Sequence, residues 1–175
     1  MKENINWIYK VFLLSFILSL LFSGGSSAIA NSFNTFILAI LIILVIAVGI
    51  IFDMIGVAVL TSEESSLHAK ASKKLKGAKE AVYLLKNATK VSSICQDVIG
   101  DICGIVSGSL GAVLTLNLAE YFDWNIVLVT MIVTALISAL TVGGKAVFKV
   151  IATENADSIA HSVGKILSIF SKKNS

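Results

Sequence analysis

Four apolar runs, separated by short polar stretches, set the pattern of this chain: Val11–Phe22, Thr35–Leu60, Val91–Leu118 and Ile126–Phe148. The second run alone predicts about 39 Å of helix at 1.5 Å per residue, more than a hydrocarbon core of about 30 Å requires. It holds a single charge, Asp53, near its C-terminal end. Between the second and third runs the period changes. Leu67, Ala71, Leu75, Ala78, Val82 and Leu85 recur at helical spacing with lysines on the other side, which predicts a basic amphipathic helix on the inner leaflet. The tail repeats the theme, with Ile159, Val163, Ile166, Leu167 and Phe170 in one apolar stripe behind Glu154 and Asp157.

Composition turns this pattern into a class. Hydrophobic residues make up 56% of the 175 and charged residues 14%, with a mean hydropathy of +0.89, so a soluble domain is excluded. No proline and twelve glycines suit helical spans with close-packed faces. The expectation is an all-α integral membrane protein: three to four transmembrane helices, cytoplasmic amphipathic helices and a C-terminal amphipathic, belt-like helix. Residues 1–30 form an N-terminal hydrophobic segment and residues 31–175 a single membrane domain. The first segment has two readings. Lys2 and Lys10, a short core and Ala28-Ile-Ala30 imitate a secretory signal, and the same residues also suit an uncleaved first helix starting near Trp7.

The net charge of +3 is carried by lysine alone, and its placement predicts topology rather than nucleic-acid binding. Residues 61–90 carry Lys70, Lys73, Lys74, Lys76, Lys79, Lys86 and Lys90, which puts them on the cytoplasmic side. Glu120-Tyr-Phe-Asp-Trp124, with two acids and three aromatics, falls outside, and the tail with Lys149, Lys165, Lys172 and Lys173 returns inside. A multi-pass protein of the cell membrane with a cytoplasmic C-terminus follows.

The third run carries the chemistry. Asp97 and Asp101 lie inside it, and an ionised carboxylate at mid-membrane costs roughly 2.5–3.5 kcal/mol on insertion scales. At four residues apart they share a helix face with or beside Ser93, Gly100, Gly104, Ser107, Gly108 and Gly111. With Asp53, these acids and Ser92, Ser93 and Gln96 would make an oxygen-rich site for a hard dication such as Mg²⁺. The metal-site candidates are therefore Asp53, Ser93, Asp97 and Asp101. The glycines Gly100, Gly104 and Gly108, with Gly143 and Gly144 in the last run, are candidate helix-packing positions, within the chain or across a dimer. Plainer readings compete: Asp97 at the membrane surface, Lys145 or Lys149 paired with Asp97 or Asp101, and Asp53 paired with the lysine-rich segment. Cys95 and Cys103, eight residues apart on one helix, are too distant for a disulfide.

Residues 52–87, reading Phe-Asp-Met-Ile-Gly-Val-Ala … Gly-Ala-Lys-Glu-Ala-Val-Tyr-Leu-Leu-Lys-Asn87, resemble the transmembrane domain of the CNNM/CorC magnesium transporter family. Thr141-Val-Gly-Gly144 takes the place of that family's third-span ending, and Asp157-Ser-Ile-Ala160 the start of its belt helix. The resemblance covers about residues 35–170 and implies Mg²⁺ transport. Gly56 stands where the family's first-span Glu falls, Gly144 about where its third-span Glu falls, and the proline after that Glu is absent. The second span has Asp97 and Asp101 where the family favours asparagines, and no cytoplasmic CBS pair follows.

The expected function is Mg²⁺ or divalent-cation transport or sensing by a homodimer in the lipid bilayer, with no nucleic-acid partner. A non-transporting accessory protein that binds partner helices through its small-residue face is the alternative, and a holin-like pore the third reading. The sequence shows no nucleophile–base pair or phosphate loop, so an enzyme is not expected.

Overall fold

The structure, a computed structural model, describes residues 2–30 and 33–171. Among them every regular element is helical. The helices are α1 (Lys2–Ala30), α2 (Thr35–Thr61), α3 (Glu64–Ser72), α4 (Ala78–Lys86), α5 (Ala88–Ser93), α6 (Gly100–Phe122), α7 (Ile126–Glu154) and α8 (Ala156–Ser171), with a π-turn, Ile94–Ile99, joining α5 to α6. Three stretches are long and apolar enough to span a membrane: Thr35–Thr61, Ala88–Phe122 and Ile126–Glu154. A shorter apolar stretch, Phe12–Gly25, lies within α1. This is a multi-pass, all-α membrane protein.

The chain gathers into two compact units, Met1–Gly49 with Val98–Gly144, and Ile50–Asp97 with Lys145–Ser175. In the first, α1 packs along α6, and Ser109 Oγ donates to the Ser23 carbonyl at 3.4 Å. α6 and α7 form a hairpin whose apolar seam is Ala119, Val129 and Val133, flanked by Leu114, Leu118 and Ile137. The hairpin turn has its own punctuation. Asp123 adopts a left-handed conformation (φ 53°), the Trp124 N–H reaches back to the Ala119 carbonyl, and Asn125 Oδ1 accepts the Val127 N–H at 2.9 Å. That last bond satisfies one of the donors that a helix start leaves open. Phe122 stacks on Trp124 at 4.9 Å between ring centres.

The second unit explains the lysine-rich stretch. A single amphipathic helix was expected there; the segment is instead two short helices broken at Lys73–Gly77, where Lys74 (φ 54°) and Gly77 (φ 83°) turn left-handed. Most of their apolar stripe packs on protein, while Leu75 stays exposed. Leu67, Ala81, Val82 and Leu84 form one core with Val59 of α2 and Ala160 of α8, supported by Ile55, Ala71, Leu85 and Val163. The amphipathic period was read correctly, and α8 and α2 supply protein partners for it. Lipid tails are as apolar as these side chains, so what an internal partner adds is close packing rather than exclusion of water.

One contact makes the α4–α8 packing close. A Cβ on Gly77 would strike the backbone of Gly164 and Lys165, and one on Gly164 would strike the Gly77 carbonyl oxygen. The two backbones touch, and only hydrogen side chains fit between them. Asp157, at the start of α8, adds a polar tie: its Oδ1 accepts the Glu63 N–H at 2.9 Å, and Lys70 Nζ donates to its backbone carbonyl at 3.2 Å.

Candidate cation site

The second unit places a carboxylate opposite an ammonium inside the spans. α2 turns one stripe inward, Leu38, Ile42, Ile46, Ile50, Asp53 and Val57, all buried. Their spacing of three or four is the helical period, so the acid takes the next inward position in an otherwise aliphatic series. Across from it, Lys145 of α7 brings Nζ to 3.5 Å from Asp53 Oδ1. The Asp53 side chain is 12% exposed and the Lys145 side chain 30%. The plainer sequence reading had Lys145 pairing with Asp97 or Asp101; its partner is Asp53.

One turn further along α2, Gly56 is pressed by the second span. A Cβ there would stand 2.9 Å from Gln96 Cγ and 3.2 Å from Cys95 Cβ. Gln96 is itself held, because its Nε2 donates to Ser92 Oγ. The amide of Gln96 thus fills the space beside Gly56, and any larger residue at 56 would have to displace it. Cys95 and Gln96 reach this position from the π-turn. Such turns interrupt the i→i−4 ladder and are frequent at functional sites.

The remaining metal-site candidates are placed differently. Ser93 Oγ donates to Asp97 Oδ2 at 2.8 Å in the second unit, with Asp97 exposed. Asp101 belongs to the first unit and is also exposed. Among the described residues no three His, Cys, Asp or Glu side chains gather as a metal-binding group. Cys95 is buried, Cys103 half-buried, and both are thiols. Ser107 and Thr115, buried hydroxyls of α6, donate to the carbonyls of Gly104 and Gly111 on their own helix. Their polarity is therefore spent within the helix.

The glycines divide into two sets. Gly100 is buried and Gly144 half-buried, whereas a Cβ on Gly104, Gly108 or Gly143 would meet nothing within 4 Å. Among the described residues nothing packs against those three positions. The close approaches fall on glycines that the sequence reading did not single out for packing. Gly111 meets Ile137 Cδ1, Gly49 meets Cys103 Cβ, and Gly56 meets Gln96. Gly111 stands three residues beyond Gly108 on the same small-residue stripe, which was the available signal for it.

A family model, the cyclin M (CNNM) transmembrane N-terminal domain, matches residues 39–173. The chain belongs to the CNNM transmembrane-domain family. The match runs through all three spans, the lysine-bearing helices and α8, and it begins after α1. No curated protein and no solved structure gives a significant match. As a CNNM domain, this is a membrane domain of the divalent-cation transport class. Asp53, Lys145, Gly56 and Gln96 all fall inside the matched region.

Proposed function

We propose that this CNNM domain transports or senses a divalent cation, Mg²⁺, as a homodimer in the cell membrane, and that Asp53 is the carboxylate the ion reaches. The observation that carries this reading is a buried acid within a spanning helix, about two turns from its C-terminal end, on a scaffold of the CNNM family. Intramembrane carboxylates are costly and mark ion paths or paired charges. The donors fit a hard ion: Mg²⁺ keeps several waters and takes one or two carboxylates. Asp53 supplies one such carboxylate, and waters retained by the ion would complete its shell.

The dimer reading is supported by the uncovered face of α6. Small residues at Gly104 and Gly108 admit a second helix at short distance, and a second copy there would shield Asp101 from lipid. Lysine placement supports residues 61–90 and the C-terminus on the cytoplasmic side.

A second reading has one observation in its favour. Asp53 already has a counter-charge, which suits a non-transporting accessory protein that binds partner helices through the open glycine face. Thermal melts separate the two. A bound ion stabilises the fold by RT ln(1 + [L]/Kd), about 2.7 kcal/mol at a hundredfold excess over Kd. The transport reading expects Mg²⁺ to raise the melting temperature of the wild type and not of Asp53→Asn. A wild type indifferent to tens of millimolar Mg²⁺ would favour the accessory role.

A further inference from the structure

We infer that Lys145 is the resident counter-cation of Asp53, and that a dication gains this carboxylate only by displacing the Lys145 ammonium, so that Lys145 sets the affinity of the site. The inference rests on the cation reading above and deepens it.

The geometry comes first. Among the described residues Lys145 is the ion-pair partner of Asp53, and Asp53 that of Lys145. At 3.5 Å between Nζ and Oδ1 the pair is in contact, and the acid is the more enclosed partner. The pair itself is neutral while it is closed. A dication added beside both groups would leave two excess positive charges in a medium that screens poorly. With the ammonium withdrawn, one excess charge remains for the ion's retained waters to solvate. Moving the Lys145 ammonium away relieves this like-charge repulsion at a few ångströms.

The surroundings decide whether the lysine can move and whether a second acid compensates. Lys145 is a compact charge on a flexible four-carbon stem, and its greater exposure leaves a way out of the pair. No second acid stands at position 56, where Gly56 is backed by the Gln96 side chain that Ser92 holds. A lone carboxylate can be neutralised one-to-one by a lysine, whereas a pair of carboxylates would keep a net negative charge for the ion. This chain has the arrangement in which a tethered monovalent cation competes best.

The test uses the full chain in detergent, with Mg²⁺ binding followed by calorimetry in the wild type, Lys145→Gln, Lys145→Arg, Asp53→Asn and the Asp53→Asn/Lys145→Gln double variant. Lys145→Gln should bind Mg²⁺ at least tenfold more tightly than the wild type, and the double variant should lose that gain. Lys145→Arg keeps the charge and should bind no more tightly than the wild type. A second readout needs no metal. In melts without Mg²⁺, each single neutralisation should lower the melting temperature, and the double variant should melt above the sum of the two losses. Equal Mg²⁺ affinity in the wild type and Lys145→Gln, with binding lost in Asp53→Asn, would overturn the role of Lys145 and leave the cation reading standing. Absence of Mg²⁺ binding in every variant, with the melting coupling intact, would overturn both and leave the pair structural.

Discussion

Substituting Gly77 by alanine tests the packing of the second unit where its backbones are closest. Two costs add there. Gly77 sits at φ 83°, and a non-glycine residue in the left-handed region costs about 1–2 kcal/mol. The new methyl would also meet the backbone of Gly164 and Lys165, atoms that cannot swing aside as a side-chain end can. Overpacking of that kind costs about 1–3 kcal/mol, giving roughly 2–5 kcal/mol in all. For a domain of this size each kcal/mol is worth about 2–4 °C, so the melting temperature in detergent should fall by at least about 4 °C. Gly164→Ala makes the informative comparison. It meets the Gly77 carbonyl and Ala81, but it sits inside α8, where alanine recovers about 0.8–1 kcal/mol of helix propensity. Its net effect should be smaller, about 0–2 kcal/mol. Gly143→Ala, with open space around its Cβ, should melt within about 1 kcal/mol of the wild type. Circular dichroism melts of the three variants carry the test, and a Gly77→Ala protein that melts with the wild type would refute the α4–α8 contact.

Other outcomes follow from single contacts. Gly111→Leu should destabilise by about 1–3 kcal/mol in chemical unfolding, because Ile137 already occupies the space its side chain needs, while Gly111→Ala should cost less, as Ile137 Cδ1 can rotate away. Gly104→Leu should leave the chain folded yet shift the size-exclusion peak from dimer to monomer, since among the described residues nothing lies within 4 Å of a Cβ there and a second copy would meet the new side chain. The Asp157 carboxyl lies below its ordinary value of 3.8: partial burial raises it, but the Ser66 hydroxyl, the Glu63 N–H and the Lys70 charge together outweigh that. Its folded value being the depressed one, its contribution is complete at neutral pH and is lost as pH falls through that value, below 3.8. In melts from pH 7 down to 3, Asp157→Asn should show the smaller drop in stability. For topology, a cysteine at Lys76 should resist impermeant labelling in intact cells while one at Tyr121 is labelled.

Much of this architecture was legible because membrane spans declare themselves by length and apolarity alone. Thr35–Thr61 and Ile126–Glu154 needed no further signal, and the small-residue stripe of α6 was visible from Gly100 to Gly111. Amphipathicity, by contrast, gives the face and not its partner. The stripe from Leu67 to Leu85 was read correctly, but the sequence did not name α8 and α2, which pack on most of it and leave Leu75 exposed. The break at Lys73–Gly77 was signalled only by Gly77, since lysine at φ 54° is uncommon in that conformation. The site shows the same division. Asp53 was singled out as a costly charge, yet its lysine lies 92 positions away by number (145 less 53), and no local rule links them. Ser93 and Asp97 do meet, as i,i+4 neighbours should. The π-turn left no periodic trace, and it is what presents Cys95 and Gln96 to Gly56.

Flux is the most direct measure of whether this CNNM domain moves a divalent cation past Asp53. The purified chain would be reconstituted into liposomes loaded with a Mg²⁺ indicator, an inward Mg²⁺ gradient imposed, and wild type compared with Asp53→Asn at equal protein density. The wild type should give an indicator rise well above that of empty liposomes, and Asp53→Asn a rise reduced to the empty-liposome level. Wild-type flux no greater than that of empty liposomes, or equal flux in the two proteins, would contradict it.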